Sequence, residues 1–232
     1  CEIGSGYGGT LKQMEELGFK RLIGMESSPH RAQIARQAYD LEILTGPFED
    51  EKIQNELEAR APFSLIFSFH VLEHVYHPAE IIKLCSNLQR EGDYLILSLP
   101  SIEEEPSLSS LIFLPHLHSF TKVSLAKLLV LNKYSVLRDF STKARELGVV
   151  ARKNNADSFR ERSGGDYFNL TLEKLIKGLA LDSKYHAPRR TLWSYRKIDL
   201  AGHMPFYESQ FLSLLQRFFA PRVLNYRHRN DL

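Results

Sequence analysis

The sequence predicts an α/β fold: a mostly parallel, seven-stranded sheet with helices on both faces, followed by a mainly helical C-terminal extension. Three observations carry that prediction. Short β-rich runs alternate with helical patterns over residues 1–152. Most of these runs are continuously apolar, as strands buried on both faces are. A glycine-rich tract, "CEIGSGYGGT", lies between the first run and the first helical pattern.

The elements follow in order. Cys1–Ile3 reads as a strand. A helix is predicted over Gly8–Leu17, closed by Gly18, a residue suited to the left-handed position after a helix end. Arg21–Glu26 is the second strand. Ser28 caps the next helix, Pro29 opens it, and it runs to Tyr39. Leu41–Leu44 and Leu65–Phe69 are strands three and four. Pro78 starts a helix to Leu88 whose apolar stripe is Ile81, Ile82, Leu84, Cys85 and Leu88. Tyr94–Leu99 is the fifth strand. Thr121 caps a helix through Leu131, and Tyr134–Phe140 and Leu147–Arg152 complete the sheet. Such a βαβα rhythm is that of an open α/β sheet.

After Arg152 the rhythm stops. "NNADSFRERSGGDY" is polar and turn-rich, as a linker is. Leu170–Leu181 and Phe206–Phe219 read as amphipathic helices. The chain therefore divides into a core, residues 1–152, and an extension, residues 153–232. The core holds 16 Lys/Arg and 20 Asp/Glu; the extension holds 14 and 8. The acidic core and basic extension point to different jobs. The extension reads as a lid, an acceptor-binding element or a homodimer contact. Its "HAPRRTLWSYRK" mixes cations with Trp193 and Tyr195, a pattern nucleic-acid binders also show. A solvated face with core aromatics is the preferred reading, so a nucleic-acid partner is disfavoured.

Bulk composition excludes other classes. At 43% hydrophobic and 25% charged over 232 residues, the chain is an ordinary globular one. No apolar run reaches the roughly 20 residues of a spanning helix. Cys1 and Cys85 are the only cysteines, so a disulfide framework is excluded and a cytoplasmic location is expected. Starting inside a strand without an initiator Met suggests an N-terminal truncation.

The glycine tract frames a ligand. Gly4, Gly6 and Gly9 satisfy G-x-G-x-x-G, which allows a tight turn and close approach of backbone to ligand. Glu26 ends the second strand, where a carboxylate can accept both hydrogen bonds of a ribose diol. A nicotinamide dinucleotide and S-adenosylmethionine (SAM) both use such a pair. Glu2 separates them: it could meet a ligand ammonium but would repel a pyrophosphate.

"EIGSGYGG", "GMESSP", "GPFED", "LIFSFHVLEHVYHP" and "HLHSFTKVSLAKLL", in that order, resemble the class I SAM-dependent methyltransferase family. The resemblance spans about residues 1–152 and implies a Rossmann-like fold with SAM as cofactor. It implies that Glu2, Gly4, Gly6 and Gly8 border the methionine and ribose parts. Glu26 then binds the ribose hydroxyls with Ser27 alongside the adenine, and Phe48 and Glu49 contact adenine. Pro47 departs from the family pattern at that loop. Ser68, Phe69 and His70 line the methyl-donor pocket.

His70-Val71-Leu72-Glu73-His74 also matches H-x-x-E-H, an inverted zinc-protease signature. That chemistry needs both histidines inside one helix, whereas His70 directly follows a strand and Pro78 opens the next helix. No third ligand has a recognisable context. The tract also resembles the E-x-x-E-H segment of quinone-biosynthesis O-methyltransferases, associated with a divalent cation. His70 replaces its first acid, and losing a carboxylate weakens a hard-cation site. The expectation is that no metal is required, and that Glu73 and His74 fix the crossover through backbone hydrogen bonds.

The N/D-P-P-Y motif of amino-directed methyltransferases is absent; "SFHV" stands in its place. An oxygen or carbon acceptor is therefore favoured. A hydroxyl acceptor benefits from a base, and histidine suits neutral pH. His70, His74, His116 and His118 are candidates, His118 first and His70 second. The expected function is methyl transfer to a hydroxyl of a small molecule or glycan. A non-catalytic SAM-binding module, a nucleic-acid methyltransferase and a nicotinamide oxidoreductase are the alternatives.

Overall fold

A computed structural model describes residues 1–103, 115–141 and 146–154. They form one seven-stranded sheet in the order β3-β2-β1-β4-β5-β7-β6. The strands are β1 (Glu2–Ile3), β2 (Gly24–Glu26), β3 (Ile43–Thr45), β4 (Leu65–Phe69), β5 (Tyr94–Pro100), β6 (Tyr134–Asp139) and β7 (Glu146–Lys153). The helices are α1 (Gly9–Glu16), α2 (Pro29–Tyr39), α3 (Glu51–Glu58), α4 (Pro78–Asn87) and α5 (Lys122–Leu131). β1 to β5 run parallel, while β7 is antiparallel to both β5 and β6. The sheet is mixed, mostly parallel as expected. The helices expected over Leu170–Leu181 and Phe206–Phe219 lie outside the described residues.

The continuous apolar runs have a simple cause. Successive strand side chains point to opposite faces, and helices cover both. One core gathers Ile66, Leu95, Leu97, Leu99, Leu147 and Val149 under Ile53 and Leu57 of α3, Ile81 and Ile82 of α4, and Leu125 and Leu129 of α5. The other gathers Phe67, Ile96 and Val150 under Leu11 and Met14 of α1 and Ala32 and Ala35 of α2. Neighbours along one strand thus feed different cores.

Local chemistry sets the helix ends. The Ser28 hydroxyl accepts from the Arg31 amide at α2, with Pro29 first in the helix. Thr121 and Ser124 exchange side-chain and backbone hydrogen bonds in a capping box at α5. α3 is not predicted from the sequence. Asp50 caps it, accepting from the Lys52 amide at 2.8 Å, and only Ile53 and Leu57 are buried in its two turns. So narrow a stripe gives little periodicity to read. β2 and β3 are shorter than predicted; Arg21 takes a left-handed φ of 56° and breaks the second run. Cys85 is buried as expected, and burial pushes its thiol up to about 12, so it is no nucleophile.

Gln89 ties β5 and β6 to the segment that leads into β4. Its amide donates to the carbonyls of Phe63 and Tyr94 at 3.3 and 2.7 Å. Its oxygen accepts from the Tyr134 hydroxyl at 2.6 Å. Tyr134→Phe keeps the ring and strands this buried acceptor. The expected loss is about 1–3 kcal/mol, read as a lower urea midpoint with an unchanged slope. An unchanged midpoint would mean the hydroxyl contributes nothing.

Candidate active site

The order of the sheet creates the site. From β1 the chain steps to β2 and β3 on one side, then crosses to β4 on the other. The crevice beyond β1 and β4 is a topological switch point, where ligands bind in open α/β sheets. Ile3 aligns with Met25 of β2 and with Ser68 of β4. The Gly4 and Ser5 amides both donate to the Met25 carbonyl, at 2.8 and 2.9 Å. Gly4 is left-handed, with φ 78°, and a Cβ there would lie 2.2 Å from Val71 Cγ2. Gly6 is also left-handed, yet a Cβ there meets nothing within 4 Å. Space opens directly over the loop. The third left-handed glycine is Gly8, before α1; Gly9, the third glycine of the sequence motif, is already helical.

Glu26 holds this loop. It is 4% exposed. The Gly6 amide donates to Oε2 and the Ser28 amide to Oε1, both at 2.8 Å; the Ser27 hydroxyl stands 3.5 Å from Oε1. A carboxylate has about four acceptor sites, so it can hold the loop and still accept ligand hydroxyls. Glu2 is buried beside it on β1. The Ser68 hydroxyl donates to the Ile3 carbonyl at 3.0 Å, and Phe69 is half-buried at the end of β4. Phe48 packs into the core with Ile53, whereas Glu49 is exposed. The loop, Glu26, Ser27, Ser68 and Phe69 therefore come together. A cradle of left-handed glycines beside an acceptor carboxylate fits an adenosyl ligand.

His70 turns the chain out of β4. Its φ is 52°, a left-handed value unusual for a side-chain-bearing residue, and its amide donates to the Ser98 carbonyl at 2.9 Å. The ring stands between two carboxylates: Nδ1 is 3.5 Å from Glu73 and Nε2 is 3.3 Å from Glu146. Burial disfavours the imidazolium, but the two acids outweigh it and His70 holds its proton above the ordinary histidine range. Glu146 is raised by burial, held back by His70 and by the Ser98 hydroxyl that donates to it.

Residues 115–118, ahead of α5, pack against the crossover. The Glu73 carbonyl accepts from the Leu117 and His118 amides at 2.8 and 3.1 Å. His74 Nδ1 is 2.8 Å from the Pro115 carbonyl, and His118 Nε2 is 3.2 Å from the Tyr76 carbonyl. His74 thus braces the crossover through backbone, as predicted. The Glu73 side chain does not: it is 1% exposed, and around one oxygen stand His70, His74 and His116 at 3.5, 3.7 and 4.0 Å. Burial lowers the His116 pKa; Glu73 opposes this, and His74 and His70 reinforce it. Sequence reasoning missed Glu146 and Ser98. The available signal was an acid opening an otherwise apolar strand, "ELGVVA". A cavity of about 150 Å³ lies among Cys1, Met14, Arg21 and Phe63, away from all these groups.

A family model described as a methyltransferase domain matches residues 1–138. No curated protein sequence matches the chain. A SAM-dependent methyltransferase of Mesorhizobium loti superposes with a TM-score of 0.54 at 15% identity, covering 66% of this chain and 89% of that one. A SAM-dependent methyltransferase of Clostridium acetobutylicum gives 0.53 at 11%, with 66% and 83% covered. Magnesium protoporphyrin IX methyltransferase of Synechocystis, with S-adenosylhomocysteine (SAH) bound, gives 0.50 at 17%, with 66% and 73% covered. At such identities the structures speak for the fold, and the family model speaks for the chain. The nicotinamide reading falls away, and the protein belongs to the SAM-dependent methyltransferase family.

Proposed function

We propose that the protein transfers a methyl group from SAM to a hydroxyl oxygen of a small molecule or sugar. The observation that carries this reading is the set of imidazoles and carboxylates gathered at the end of β4, beside the glycine loop. Glu2, Gly4, Gly6, Gly8, Glu26, Ser27, Phe48, Glu49, Ser68, Phe69 and His70 hold the cofactor; Phe48 acts from the core, shaping the loop that carries Glu49. SAM, when bound, supplies a methyl group already activated on a sulfonium.

The chain's own task is to align the acceptor and remove its proton. His118 is the base in this reading. The Tyr76 carbonyl can only accept, so His118 Nε2 carries the hydrogen and Nδ1 keeps the lone pair. His70, the second candidate, is disfavoured as the base because Glu73 and Glu146 hold its proton. No helix among the described residues is long and apolar enough to cross a membrane. The extension expected from residue 153 begins after β7, and its basic residues 155–232 serve as a lid over the acceptor side.

Three tests follow. Glu26→Ala should weaken SAH binding by about 1.5–3 kcal/mol, the worth of hydrogen bonds to a charged group, by calorimetry; unchanged affinity would overturn the placement. His118→Ala should lower turnover about 10²–10⁴-fold in an assay following SAM-to-SAH conversion with a pool of hydroxylated acceptors, while SAH affinity stays within twofold or so. Equal turnover would remove His118 as the base. Truncation after Asn154 should preserve SAH binding and abolish turnover. The cut must spare Lys153, whose ammonium donates to the Ser86 and Gln89 carbonyls. Normal turnover by the truncated chain would end the lid reading.

A further inference from the structure

The sequence alone offers no third ligand to accompany Glu73 and His74, and the fold supplies one. His116 arrives from the β5–α5 connection, 42 residues on from His74 in the chain numbering. Among the described residues, Glu73, His74 and His116 are brought together so that one donor atom from each lies within 4.8 Å of the others. His116 is placed by backbone contacts on either side of it. Pro115 gives its carbonyl to His74, and Leu117 and His118 give their amides to the Glu73 carbonyl.

The contacts of each ring set which nitrogen faces the carboxylate. The Pro115 carbonyl has no hydrogen to give, so the 2.8 Å contact puts the hydrogen on His74 Nδ1. In the neutral ring Nε2 then carries a lone pair, and it stands 3.7 Å from Glu73 Oε1. His116 Nε2 stands 4.0 Å from the same oxygen. Both separations exceed a hydrogen bond. Neither Glu73 oxygen has a hydrogen bond of its own, although the side chain is 1% exposed. Besides His70, whose Nδ1 stands 3.5 Å from Oε1, this buried carboxylate faces two further imidazole nitrogens that a cation could bridge. Buried charge of this kind is paired or coordinates a metal.

The spacing suits an ion. Tetrahedral bonds of about 2.0–2.1 Å put neighbouring ligand atoms about 3.4 Å apart. His74 and His116 stand 3.7 and 4.0 Å from Glu73 Oε1, and the three donors lie within 4.8 Å of one another, so an ion would draw them together by side-chain adjustment. A histidine ligand whose other nitrogen donates to a backbone carbonyl is the usual outer arrangement of a metal site, and His74 has it already. Two imidazoles and one carboxylate favour a borderline transition-metal dication over Mg²⁺ or Ca²⁺, which take oxygen ligands. His74 and His116 keep 38% and 21% of their side-chain surface exposed, so the fourth position opens to solvent.

We propose that Glu73, His74 and His116 form a three-ligand site for a Zn²⁺-class dication, with an open position for water or a hydroxyl oxygen. This proposal departs from the expectation that no metal is required. The metal site stands on its ligands alone; only the hydroxyl occupant rests on the methyl-transfer reading.

The test reads metal, not turnover. The 232-residue chain is stripped with a chelator and titrated with Co²⁺ and with Zn²⁺, by equilibrium dialysis and by the visible absorption of Co²⁺. One equivalent should bind, with the strong absorption of a tetrahedral or five-coordinate ion. Glu73→Gln, His74→Ala and His116→Ala should each weaken binding by about a hundredfold or more, while His77→Ala, a neighbour outside the site, should not. SAH binding at the glycine loop reports that each variant is folded. Should the alanine variants fail that control, His116→Cys decides: a thiolate-to-Co²⁺ charge-transfer band should appear in the near ultraviolet. No bound equivalent, equal affinity across the variants, an equal loss in His77→Ala, or a cysteine variant without the band would each overturn the site. If the metal binds and turnover is unaffected by its removal, the metal site stands and the hydroxyl occupant is overturned.

Discussion

A charge buried in protein must find a partner, and this molecule buries most of its charges along one edge. Every buried charged side chain among the described residues is a glutamate: Glu2, Glu26, Glu73, Glu103 and Glu146. Glu2 and Glu26 lie on β1 and β2, Glu73 follows β4, Glu103 follows β5, and Glu146 opens β7. Glu26, Glu73, Glu103 and Glu146 belong to the end of the sheet where the parallel strands finish, and Glu2 lies on the central strand β1, level with Gly24. Isolated burial of each would cost several kcal/mol. The local structure exists to offset that. Glu26 organises loop amides, Glu146 takes the Ser98 hydroxyl, and Glu146 and Glu73 share His70. Carboxylates placed where Glu2 and Glu26 stand suit a sulfonium ligand better than a pyrophosphate.

Backbone conformation sharpens the division of labour along this edge. Gly4 must be glycine twice over, for its φ of 78° and for Val71 packed against its α-carbon. Gly6 is left-handed with open space above it, so its constraint comes from the turn and from the ligand side. His70 pays the cost of a left-handed φ with a full side chain. Strain of this type costs about 1–3 kcal/mol and persists where surroundings over-determine it. The surroundings here are the amide bond to Ser98 and the two carboxylates. The same turn that ends β4 therefore fixes the imidazole against both acids.

Much of the fold was legible because the burial pattern is written locally. Leu65–Phe69 and Tyr94–Leu99 are apolar throughout since helices cover both faces, and Pro29 and Pro78 mark helix starts that the structure keeps. The cofactor loop was legible for a similar reason: glycines, strand and helix are contiguous. α3 was not legible, because two buried residues in two turns leave almost no period. The G-x-G-x-x-G pattern misassigned its last position, since Gly8 and Gly9 are adjacent and only φ tells them apart. Residues 155–232 lie outside the described residues, so their predicted helices stand as expectations.

The candidate acceptor side was the least legible part, and topology explains why. β7 runs antiparallel to β5, with Ser98 aligned to Gly148 and Pro100 to Glu146. Reversal brings the start of β7 to the finishing ends of β4 and β5. A residue at position 146 therefore meets one at position 70, and no spacing in the chain announces the pair. His116 meets Glu73 and His74 by the same kind of return, through a connection pinned by the Glu73 carbonyl. Local motifs could nominate single histidines, but each nitrogen's role is set by what the other nitrogen touches. His74 illustrates the point: one carbonyl, on Pro115, decides which nitrogen faces Glu73. The chemistry of this edge is thus a property of the sheet order, assembled from segments that are individually ordinary.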